Sequence, residues 1–492
     1  MTTLAEVVTE THARHARRTA VRTDTDVVSF AELGTQARSV AFMLAERGLR
    51  PGDRVVIALE NRPEVLALEH GLWLAGLVRV SVSPRLRPAD VDRIARDCTA
   101  RLVVCEPAIA APFGSDAIVP GLPLDALLTG PSPQAAPRPS ASDELVALMY
   151  TSGTSGAPKG ARVTSGAWMA MIAAMHSVLP PITVSDRFLH VMPMSHFGGS
   201  VGSAYTLAGA SAVPVRRFRA DDVEGLVHRF GITATALVPT ALDRLTWSSR
   251  ADAAFPSLRA VVYGAAPTST ATQRRARHML GDVLYQFYGL SEALAPLTAL
   301  TPEDHALDDA SVLASAGRPV EEVVVSVVND EGRRLATGAT GRVAVQGAQV
   351  FPGYWNAENR DTPDWVTGDL GFVDDAGYLH LVGRESEVII TGGLHVHPEE
   401  VERAIATLDA VAEVAVLGIP DAEWGETVAA AVVPLPGTTL SSADVHAACS
   451  RHLAPFKKPR VTAVIDALPR NSTGKVAKQS LRALFGPERT QP

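Results

Sequence analysis

Thr151-Ser-Gly-Thr-Ser-Gly-Ala-Pro-Lys-Gly160 is the most informative stretch of this 492-residue chain. It follows an apolar run that ends in Leu148-Met149-Tyr150. Its glycines let the backbone bend tightly, so that N–H groups can approach an anion, while hydroxyl side chains and Lys159 add donors and a positive charge. The stretch differs from the common P-loop, in which Gly-Lys-Ser/Thr follows four spacer residues. It predicts a polyphosphate-binding loop, although in isolation a plain surface turn would be the simpler interpretation.

Composition and charge exclude several kinds of protein. The chain is 46% hydrophobic and 20% charged, with a net charge of −8, which is typical of a globular protein and unlike a nucleic-acid-binding one. Its three cysteines form neither a disulfide framework nor a metal-ligand pattern. No secretory signal and no apolar run of membrane-spanning length is recognisable. We therefore expect a cytoplasmic protein that has no nucleic-acid or membrane partner and that is a monomer or a homodimer.

Lysine is rare in this chain. Of 45 basic residues only five are lysines. Because a compact ammonium is not replaced by a planar guanidinium in a tight site, each lysine is informative. The five positions are Lys159, Lys457, Lys458, Lys475 and Lys478.

Helix and strand signals alternate over the first hundred residues. Ser29-Phe-Ala-Glu32 predicts a capping box that opens a helix to about Gly48, and Asn61-Arg-Pro-Glu64 predicts the cap of a second helix that ends at Leu77. The other predicted elements are strands at 54–59, 79–83 and 101–106 and a helix at 88–99. This alternation predicts an α/β fold with a parallel, doubly wound sheet.

The rest of the chain suggests two domains, as its length requires. Residues 107–143 are rich in Pro, Ala and Ser and indicate an irregular connection, and α/β alternation resumes from 186 to about 300. Short strands with glycine turns over 310–382 predict a small β-rich subdomain. A final α+β segment has predicted helices at 398–407 and 442–453 and strands near 412–417 and 427–434. We place the boundary near residue 386, which gives domains of 1–385 and 386–492.

Several short motifs occur in one order along almost the whole chain. They are Tyr150-Thr-Ser-Gly-Thr-Ser-Gly-Ala-Pro-Lys-Gly160, Pro193-Met-Ser-His196-Phe-Gly-Gly199, Tyr263-Gly-Ala-Ala-Pro267, Tyr288-Gly-Leu-Ser-Glu292, Gly317-Arg-Pro319, Gly341-Arg-Val-Ala-Val-Gln-Gly347, Gly353-Tyr-Trp355, Thr367-Gly-Asp369, Gly383-Arg384, Gly392-Gly393, Pro398-Glu-Glu-Val-Glu402 and Pro469-Arg-Asn-Ser-Thr-Gly-Lys475. This set resembles the adenylate-forming superfamily, which includes acyl-CoA synthetases, aryl-CoA ligases, stand-alone adenylation domains and luciferases.

The resemblance implies a reaction in two halves. A carboxylate attacks the α-phosphate of MgATP to give an acyl adenylate and pyrophosphate, and a thiol, usually coenzyme A, then displaces AMP. It implies that Lys475 bridges the carboxylate and the α-phosphate, that Glu292 binds Mg²⁺, and that His196 faces the acid, and we take these three as catalytic. The residues implied to bind ATP or AMP are Thr151, Ser152, Gly153, Thr154, Ser155, Gly156, Lys159, Gly264, Ala265, Ala266, Tyr288, Gly289, Ser291, Asp369 and Arg384.

The resemblance also implies which residues form the acid pocket, the coenzyme A site and the hinge. The acid pocket is expected from His196, Gly199, Tyr263, Gly264 and Leu290. The coenzyme A site is expected from Gly392, Gly393, Trp424, Phe456 and Lys458. The hinge between the domains falls on Ser386, where the family usually has Asp or Lys, so its charge interactions are lost here.

The identity of the acid and of the acceptor is left open by the sequence. Amino-acid adenylation domains hold the α-ammonium with an aspartate beside the His196 motif, yet no acidic residue lies between Leu189 and Gly209. We therefore expect an aryl, cinnamyl or medium-length acyl acid. The acceptor could also be a separate carrier protein, an amine or nitrite. A non-catalytic nucleotide sensor is a further alternative, against which intact Glu292, Asp369 and Lys475 argue.

Overall fold

The computed structural model describes residues 2–110, 121–122, 124–128, 130–133, 140–152, 158–248, 255–360, 362–421, 423–435, 437–470 and 476–485. The chain forms two compact units, of which the first comprises Met1–Val325 and Val345–Trp365 and the second comprises Ser326–Ala344 and Val366–Pro492. The expected boundary near residue 386 lies within the second unit, because the small β-rich part groups with the C-terminal segment. Within the described residues, no helix has the length and apolar character that crossing a membrane would require.

The first unit alternates strands and helices. Its strands are β1 (Thr19–Arg22), β2 (Val27–Ser29), β3 (Arg54–Ala58), β4 (Val78–Ser81), β5 (Leu102–Cys105), β6 (Gly121–Leu122), β7 (Leu145–Ser152), β8 (Pro158–Thr164), β9 (Arg187–His190), β10 (Ser211–Pro214), β11 (Ala234–Leu237), β12 (Ala260–Gly264), β13 (Leu284–Tyr288), β14 (Thr298–Leu300) and β15 (Arg318–Pro319). Its helices are α1 (Leu4–Arg14), α2 (Phe30–Glu46), α3 (Glu64–Ala75), α4 (Pro88–Asp97), α5 (Asp125–Leu128), α6 (Ser165–Val178), α7 (Phe197–Leu207), α8 (Ala220–Phe230), α9 (Pro239–Ser248), α10 (Thr270–Leu280), α11 (Pro302–Ala306) and α12 (Ala310–Ala314).

These strands form two sheets among the described residues. One has nine strands in the order β15-β14-β13-β12-β11-β9-β10-β1-β2, and the other has six in the order β6-β5-β3-β4-β7-β8. In the larger sheet, neighbouring strands are parallel from β13 through β12, β11, β9 and β10 to β1. In the smaller sheet, they are parallel from β6 through β5, β3 and β4 to β7. The predicted α/β fold with doubly wound parallel sheets is therefore confirmed.

Both faces of the six-stranded sheet are covered, as a parallel sheet requires. Val55 and Ile57 of β3 pack with the apolar residues of α2 and α3, whereas Val56 and Ala58 pack on the opposite face with those of α4. Successive side chains of a strand point to opposite faces, so a continuous apolar run serves both layers. The predicted capping box is present, because Ser29 accepts from the Glu32 N–H and Glu32 accepts from the Ser29 N–H.

The predicted cap at Asn61 is wrong. Helix α3 begins at Glu64 without a side-chain cap. The buried Asn61 amide nitrogen lies within 3.1 Å of the carbonyl oxygens of His190, Met192 and Val215, and its oxygen accepts from the Met194 N–H at 2.8 Å. The Asn61 side chain therefore bonds to residues more than a hundred positions away and not to the helix N-terminus that the local pattern predicted.

The segment 107–143, expected to be an irregular connection, contains regular elements among its described residues. The described parts contain a short 3₁₀ turn at Pro107–Ile109, strand β6 and helix α5, which add to the edge of the six-stranded sheet and to α2. The apolar side chain of Leu127 is buried there. The sequence did not predict these elements, because each is only a few residues long and lies in a stretch rich in Pro, Ala and Ser.

The second unit is α+β. The strands that lie wholly or mostly in it are β16 (Val324–Val328), β17 (Gly341–Gln346), β18 (Trp365–Val373), β19 (Leu379–Arg384), β20 (Ile389–Thr391), β21 (Leu394–Val396), β22 (Val411–Asp421), β23 (Gly425–Pro434) and β24 (Val461–Val464). Its helices are α13 (Pro398–Ile405), α14 (Ser442–His452) and α15 (Lys478–Arg482). Strands β16 to β19 form one sheet, and β20 to β24 form another around the long β22–β23 pair. One face of that pair packs with α13 and α14, and the other packs with α15.

Candidate active site

The glycine-rich stretch lies at a hairpin. Thr151 and Ser152 end β7, and Lys159 is the second residue of β8, with Thr151 opposite Lys159 across the antiparallel pair. The loop residues Gly153, Thr154, Ser155 and Gly156 lie outside the described part of the chain. The Lys159 side chain is exposed, and its ammonium lies 5.5 Å from the centre of the Tyr354 ring. Two antiparallel strands therefore hold the ends of the candidate phosphate loop, while phosphate binding by the loop stays a prediction.

Two predicted nucleotide loops meet at one edge of the nine-stranded sheet. Strands β12 and β13 are parallel neighbours with Gly264 opposite Phe287, and ligands of open α/β sheets bind at the carboxyl ends of such strands. Gly264 must lack a side chain, because a Cβ there would lie 2.2 Å from the Phe287 carbonyl oxygen. Ala265 has a φ of +70°, an uncommon conformation that costs energy for a residue with a Cβ. Ala265 and Ala266 are exposed, so their small side chains leave this edge open.

A tight turn after β13 presents Glu292. The Leu290 N–H donates to the Ala293 carbonyl at 2.8 Å, and a Cβ on Gly289 would lie 2.7 Å from the Ala295 nitrogen. Tyr288, Leu290, Ser291 and Glu292 are all half-buried at this turn. The Tyr354 hydroxyl donates to Glu292 Oε1 at 2.8 Å. The turn therefore fixes the backbone of Glu292, and Tyr354 fixes its carboxylate.

The acidic residues of this region suit a metal that also takes ligands from a nucleotide. Among the described residues, no group of three His, Cys, Asp or Glu side chains could by itself hold a metal ion. Mg²⁺ is usually bound through one or two carboxylates together with phosphate and water oxygens. A single half-buried carboxylate such as that of Glu292 fits this donor set, and its metal role stays a prediction.

His196 stands at the N-terminus of α7, where its backbone is held firmly. Its ring nitrogen Nδ1 lies 2.6 Å from the Ser195 hydroxyl oxygen, so the serine orients the half-buried imidazole. Gly199 must lack a side chain because a Cβ would lie 1.8 Å from the Met194 carbonyl oxygen. That carbonyl also accepts from Arg79, whose guanidinium is buried with Glu69 at 3.0 Å.

The segment before His196 therefore depends on buried groups that the sequence motifs did not reveal. Asn61 and Arg79 both hold Met194, two residues before His196. Both are buried polar residues, and neither a predicted helix cap at Asn61 nor an arginine in a strand carries a local signal of such a contact. Their partners lie more than a hundred residues along the chain.

Tyr263 does not contribute a polar group to the predicted acid pocket. Its side chain is fully buried in the core, and its hydroxyl lies 2.7 Å from His305 Nε2. Burial lowers the pKa of His305 and raises that of Tyr263. Tyr263 is therefore part of the packing beneath β12, and only its backbone lies beside Gly264 at the strand end.

In the second unit, Asp369 and Arg384 form an ion pair. They are opposite residues of β18 and β19, and Arg384 Nε lies 2.8 Å from Asp369 Oδ1. The Asp369 carboxylate is 6% exposed, whereas Arg384 is 44% exposed. The Thr367 hydroxyl accepts from the Asp369 N–H, which closes the Thr-Gly-Asp turn. The two residues predicted to bind the ribose are thus already in contact.

The predicted coenzyme A residues all lie in the second unit, and two of them, Gly392 and Trp424, are in contact. A Cβ on Gly392 would lie 2.6 Å from Trp424 Cε3, and the Gly392 N–H donates to the Trp424 carbonyl. Gly393, with a φ of +78°, has open space where a side chain would stand. Trp424 remains 37% exposed and Phe456 38%. Lys458 donates to the Ser450 hydroxyl at 2.9 Å.

Arg460 was missed by the motif analysis. Its guanidinium carbon lies 4.8 Å from the centre of the Trp424 ring. The arginine and Gly392 thus both contact the tryptophan, so an aromatic ligand would find a guanidinium plane as well as an indole in this region. An isolated arginine two residues after Lys458 gave no signal of this stacking.

Lys478 contacts the predicted hinge turn through an ion pair with Glu387. Ser386 is exposed in a short 3₁₀ turn at Glu385–Glu387, and Lys475 lies outside the described residues. Lys478 Nζ lies 2.6 Å from Glu387 Oε2. Burial opposes the charge on Lys478, but Glu402, Glu387 and Glu399 together raise its pKa. Burial raises the pKa of Glu402 to about 7.

The parallel sheets and the loops at their carboxyl ends define a nucleotide-binding α/β enzyme. The family model described as AMP-binding enzyme matches residues 8–355, and the model of the AMP-binding enzyme C-terminal domain matches residues 400–475. The chain belongs to the AMP-binding enzyme family. The predictions of an adenylate-forming ligase of the acyl-CoA synthetase type and of an adenine nucleotide ligand are thereby confirmed, whereas the roles of single residues stay predictions.

The most similar proteins include ligases with different acceptors. A fatty acid–[acyl-carrier-protein] ligase, ScoC, from Streptomyces coeruleorubidus is 32% identical over 97% of this chain and 95% of its own. An indoleacetate–CoA ligase from Aromatoleum aromaticum is also 32% identical, over 95% of each chain. The crystal structure of ATP-bound MatB from Rhodopseudomonas palustris is 31% identical and superimposes with a TM-score of 0.87 over 98% of this chain and 99% of that one.

Proposed function

We propose that this protein uses ATP to activate a carboxylic acid and transfers the acyl group to coenzyme A. The observation that carries the proposal is the meeting of the Gly264–Ala266 and Tyr288–Glu292 loops at neighbouring carboxyl ends of β12 and β13. That edge is where open α/β sheets bind nucleotides. Membership of the AMP-binding enzyme family supports an adenine nucleotide as the ligand at this edge.

In the first half-reaction, an oxygen of the substrate carboxylate forms a bond to the α-phosphorus of ATP. The bond from that phosphorus to the bridging oxygen breaks, and its electron pair leaves with pyrophosphate. Negative charge grows between the carboxylate and the phosphate, and a positioned ammonium stabilises it. We assign that role to Lys475. We assign the adenine to Tyr288 and the small residues Gly264, Ala265 and Ala266, and the ribose hydroxyls to Asp369.

A divalent cation, when bound with the nucleotide, neutralises charge on the phosphates. Glu292 supplies the carboxylate for Mg²⁺, and Lys159 together with the glycine-rich loop holds the departing phosphates. Both residues contact Tyr354, Glu292 through a hydrogen bond at 2.8 Å and Lys159 through the ring at 5.5 Å.

In the second half-reaction, the coenzyme A thiol gives up its proton and its sulfur attacks the acyl carbon. The bond from that carbon to the phosphate oxygen breaks, and AMP leaves with the electron pair. Trp424, Phe456 and Lys458 are suited to the nucleotide end of coenzyme A, because two exposed aromatic rings and an ammonium occur in one unit with Arg460 stacked on Trp424. An acyl carrier protein is the second candidate acceptor, because one relative is a fatty acid–[acyl-carrier-protein] ligase.

The acid is expected to be aryl, cinnamyl or medium-chain. Supporting observations are the compact Gly198 and Gly199 beside His196 and the absence of acidic residues between Leu189 and Gly209. The indoleacetate–CoA ligase similarity agrees with an aromatic acid. His196, oriented by Ser195, offers the one titratable ring that we place in this pocket.

An exchange experiment tests the adenylation half. Radioactive pyrophosphate should enter ATP only when an accepted acid is present, and a panel of aryl, cinnamyl and medium-chain acids should identify the accepted class. Lys475→Ala should slow the exchange by about 10²–10³-fold. Lys457→Ala is a matched control, because Lys457 pairs with Glu400 at 2.7 Å and has no assigned role. Exchange that does not depend on any acid, or that Lys475→Ala leaves unchanged, would contradict the proposal.

A further inference from the structure

Residues 350–355 form a short segment that touches two parts of the candidate site. At one end Val350 pairs with Ala293, and the Phe351 N–H donates to the Glu292 carbonyl at 2.8 Å. At the other end Tyr354 pairs with Ala161, and the Trp355 N–H donates to the Gly160 carbonyl at 2.7 Å. We call residues 350–355 the brace. Its backbone fixes the turn that carries Glu292 relative to the strand that carries Lys159.

Tyr354 is the one brace side chain that contacts both of these residues. Its hydroxyl lies 2.8 Å from Glu292 Oε1, and its ring centre lies 5.5 Å from Lys159 Nζ. The ring also packs edge-on against Phe351 at 5.0 Å and Trp365 at 6.1 Å. These packing contacts hold the phenol in place, so the hydroxyl is a fixed donor for the carboxylate.

We propose that Tyr354 is a positioning residue that sets the Glu292 carboxylate for the metal–nucleotide complex. The inference rests on the proposed function of Glu292. A glutamate side chain has several rotatable bonds, and holding it in one conformation costs entropy. Because the Tyr354 hydroxyl occupies a lone pair of Oε1, the carboxylate is held before the ligand arrives. The same ring also contacts Lys159, to which the departing phosphates are assigned.

Tyr354→Phe separates positioning from packing. It keeps the ring against Phe351, Trp365 and Lys159 and removes only the hydroxyl that reaches Glu292. The probe is Mn²⁺ binding in the presence of a non-hydrolysable ATP analogue, followed by electron paramagnetic resonance. We expect roughly tenfold weaker Mn²⁺ binding, the size of one hydrogen bond to a charged group. Tyr285→Phe is the matched control, because it removes a hydroxyl from a buried tyrosine in β13 that has no assigned role.

The double variant Tyr354→Phe/Glu292→Gln shows whether the tyrosine acts through the glutamate. We expect it to bind Mn²⁺ no more weakly than Glu292→Gln alone, since the two effects should not add. Wild-type binding by Tyr354→Phe, or additive losses in the double variant, would overturn the inference while the proposed function stands. Wild-type binding by Glu292→Gln would instead refute the assignment of Glu292 to the metal. A thermal melt of each variant separates these results from unfolding.

Discussion

Arg384 Nε lies 2.8 Å from Asp369 Oδ1, across the antiparallel strands β18 and β19. The carboxylate is nearly buried, and the arginine is its counter-charge. A buried ionised carboxylate requires such a partner, since an unpaired one is strongly disfavoured. Asp369 is therefore held in place by Arg384 before any ligand binds.

Asp369→Ala should weaken ATP binding strongly and leave the Mg²⁺ requirement unchanged. The ribose contacts would be lost, and the exposed Arg384 would lose its partner. Glu292→Gln should instead raise the Mg²⁺ concentration needed for half-maximal pyrophosphate exchange. Titrating ATP and Mg²⁺ separately for both variants measures the two effects. If added Mg²⁺ restored Asp369→Ala and not Glu292→Gln, the two assignments would be reversed.

Lys475→Ala should slow adenylate formation by about 10²–10³-fold, the usual cost of losing one electrostatic donor in a transition state. Thioester formation from a preformed acyl adenylate should remain largely intact, because the lysine is assigned to the first half-reaction only. Rapid-quench measurements of each half-reaction separate the two. Equal loss in both half-reactions of the folded variant would remove Lys475 from this role.

Trp424→Ala should raise the KM for coenzyme A roughly ten- to a hundredfold, because one stacked base contributes about 1–3 kcal/mol. Acid-dependent pyrophosphate exchange, which needs no thiol, should not change. Trp247→Ala is the matched control, since Trp247 is also exposed and also carries an arginine, Arg275, at 4.5 Å from its ring. A similar KM for both variants would exclude Trp424 from the thiol site.

Lys458→Ala should make coenzyme A binding weaker at low salt and should also change its response to salt. An exposed phosphate–ammonium contact is screened as ionic strength rises. The wild type should therefore lose coenzyme A affinity with added salt more steeply than the variant does. Parallel salt dependences would show that Lys458 contacts no phosphate, and that its partner is the Ser450 hydroxyl alone.

Buried histidines predict how stability depends on pH. Burial lowers the pKa of His190 to about 3 and that of His12 to about 4. In the unfolded chain a histidine titrates near 6.5, so the unfolded state binds more protons below that pH. Their contribution is complete above about pH 6.5 and is lost as the pH falls towards 4 and 3, by up to about 1.4 kcal/mol per pH unit for each ring.

His190→Leu tests this pH dependence. Both ring nitrogens of His190 lack a hydrogen-bond partner within the described structure, and a Cβ on Gly202 would lie 2.1 Å from its ring. The urea midpoint of the wild type should fall between pH 7 and pH 5, and that of His190→Leu should fall less. His278→Leu, at an exposed position of α10, should behave as the wild type does. Identical slopes for all three proteins would refute the assignment.

Local patterns predicted much of the fold, and the failures have a common cause. The Ser29–Glu32 capping box and the βαβ alternation depend on residues a few positions apart, so the sequence contains the whole signal. Asn61 was misread as a cap because its carbonyl partners lie beyond residue 189.

In the candidate site, too, features that depend on nearby residues were predicted, and contacts between distant segments were not. Glycine motifs predicted the loops, because the close backbone approach at Gly264 and Gly199 is required of those positions themselves. Tyr354 stood in a quoted motif without an assigned role, because its contact with Glu292 depends on the pairing of distant segments. Tyr263 lay beside a pocket glycine, yet strand alternation turned its ring into the core towards His305.

The most direct test of the proposed function is to identify the product by mass spectrometry. The purified protein is incubated with ATP, Mg²⁺ and an acid that supports pyrophosphate exchange, first without and then with coenzyme A. The proposal predicts an acyl adenylate in the first sample, and an acyl-CoA with an equal amount of AMP in the second. Adenylate and pyrophosphate without acyl-CoA, for every accepted acid, would contradict it and would transfer the acceptor role to a carrier protein or another nucleophile.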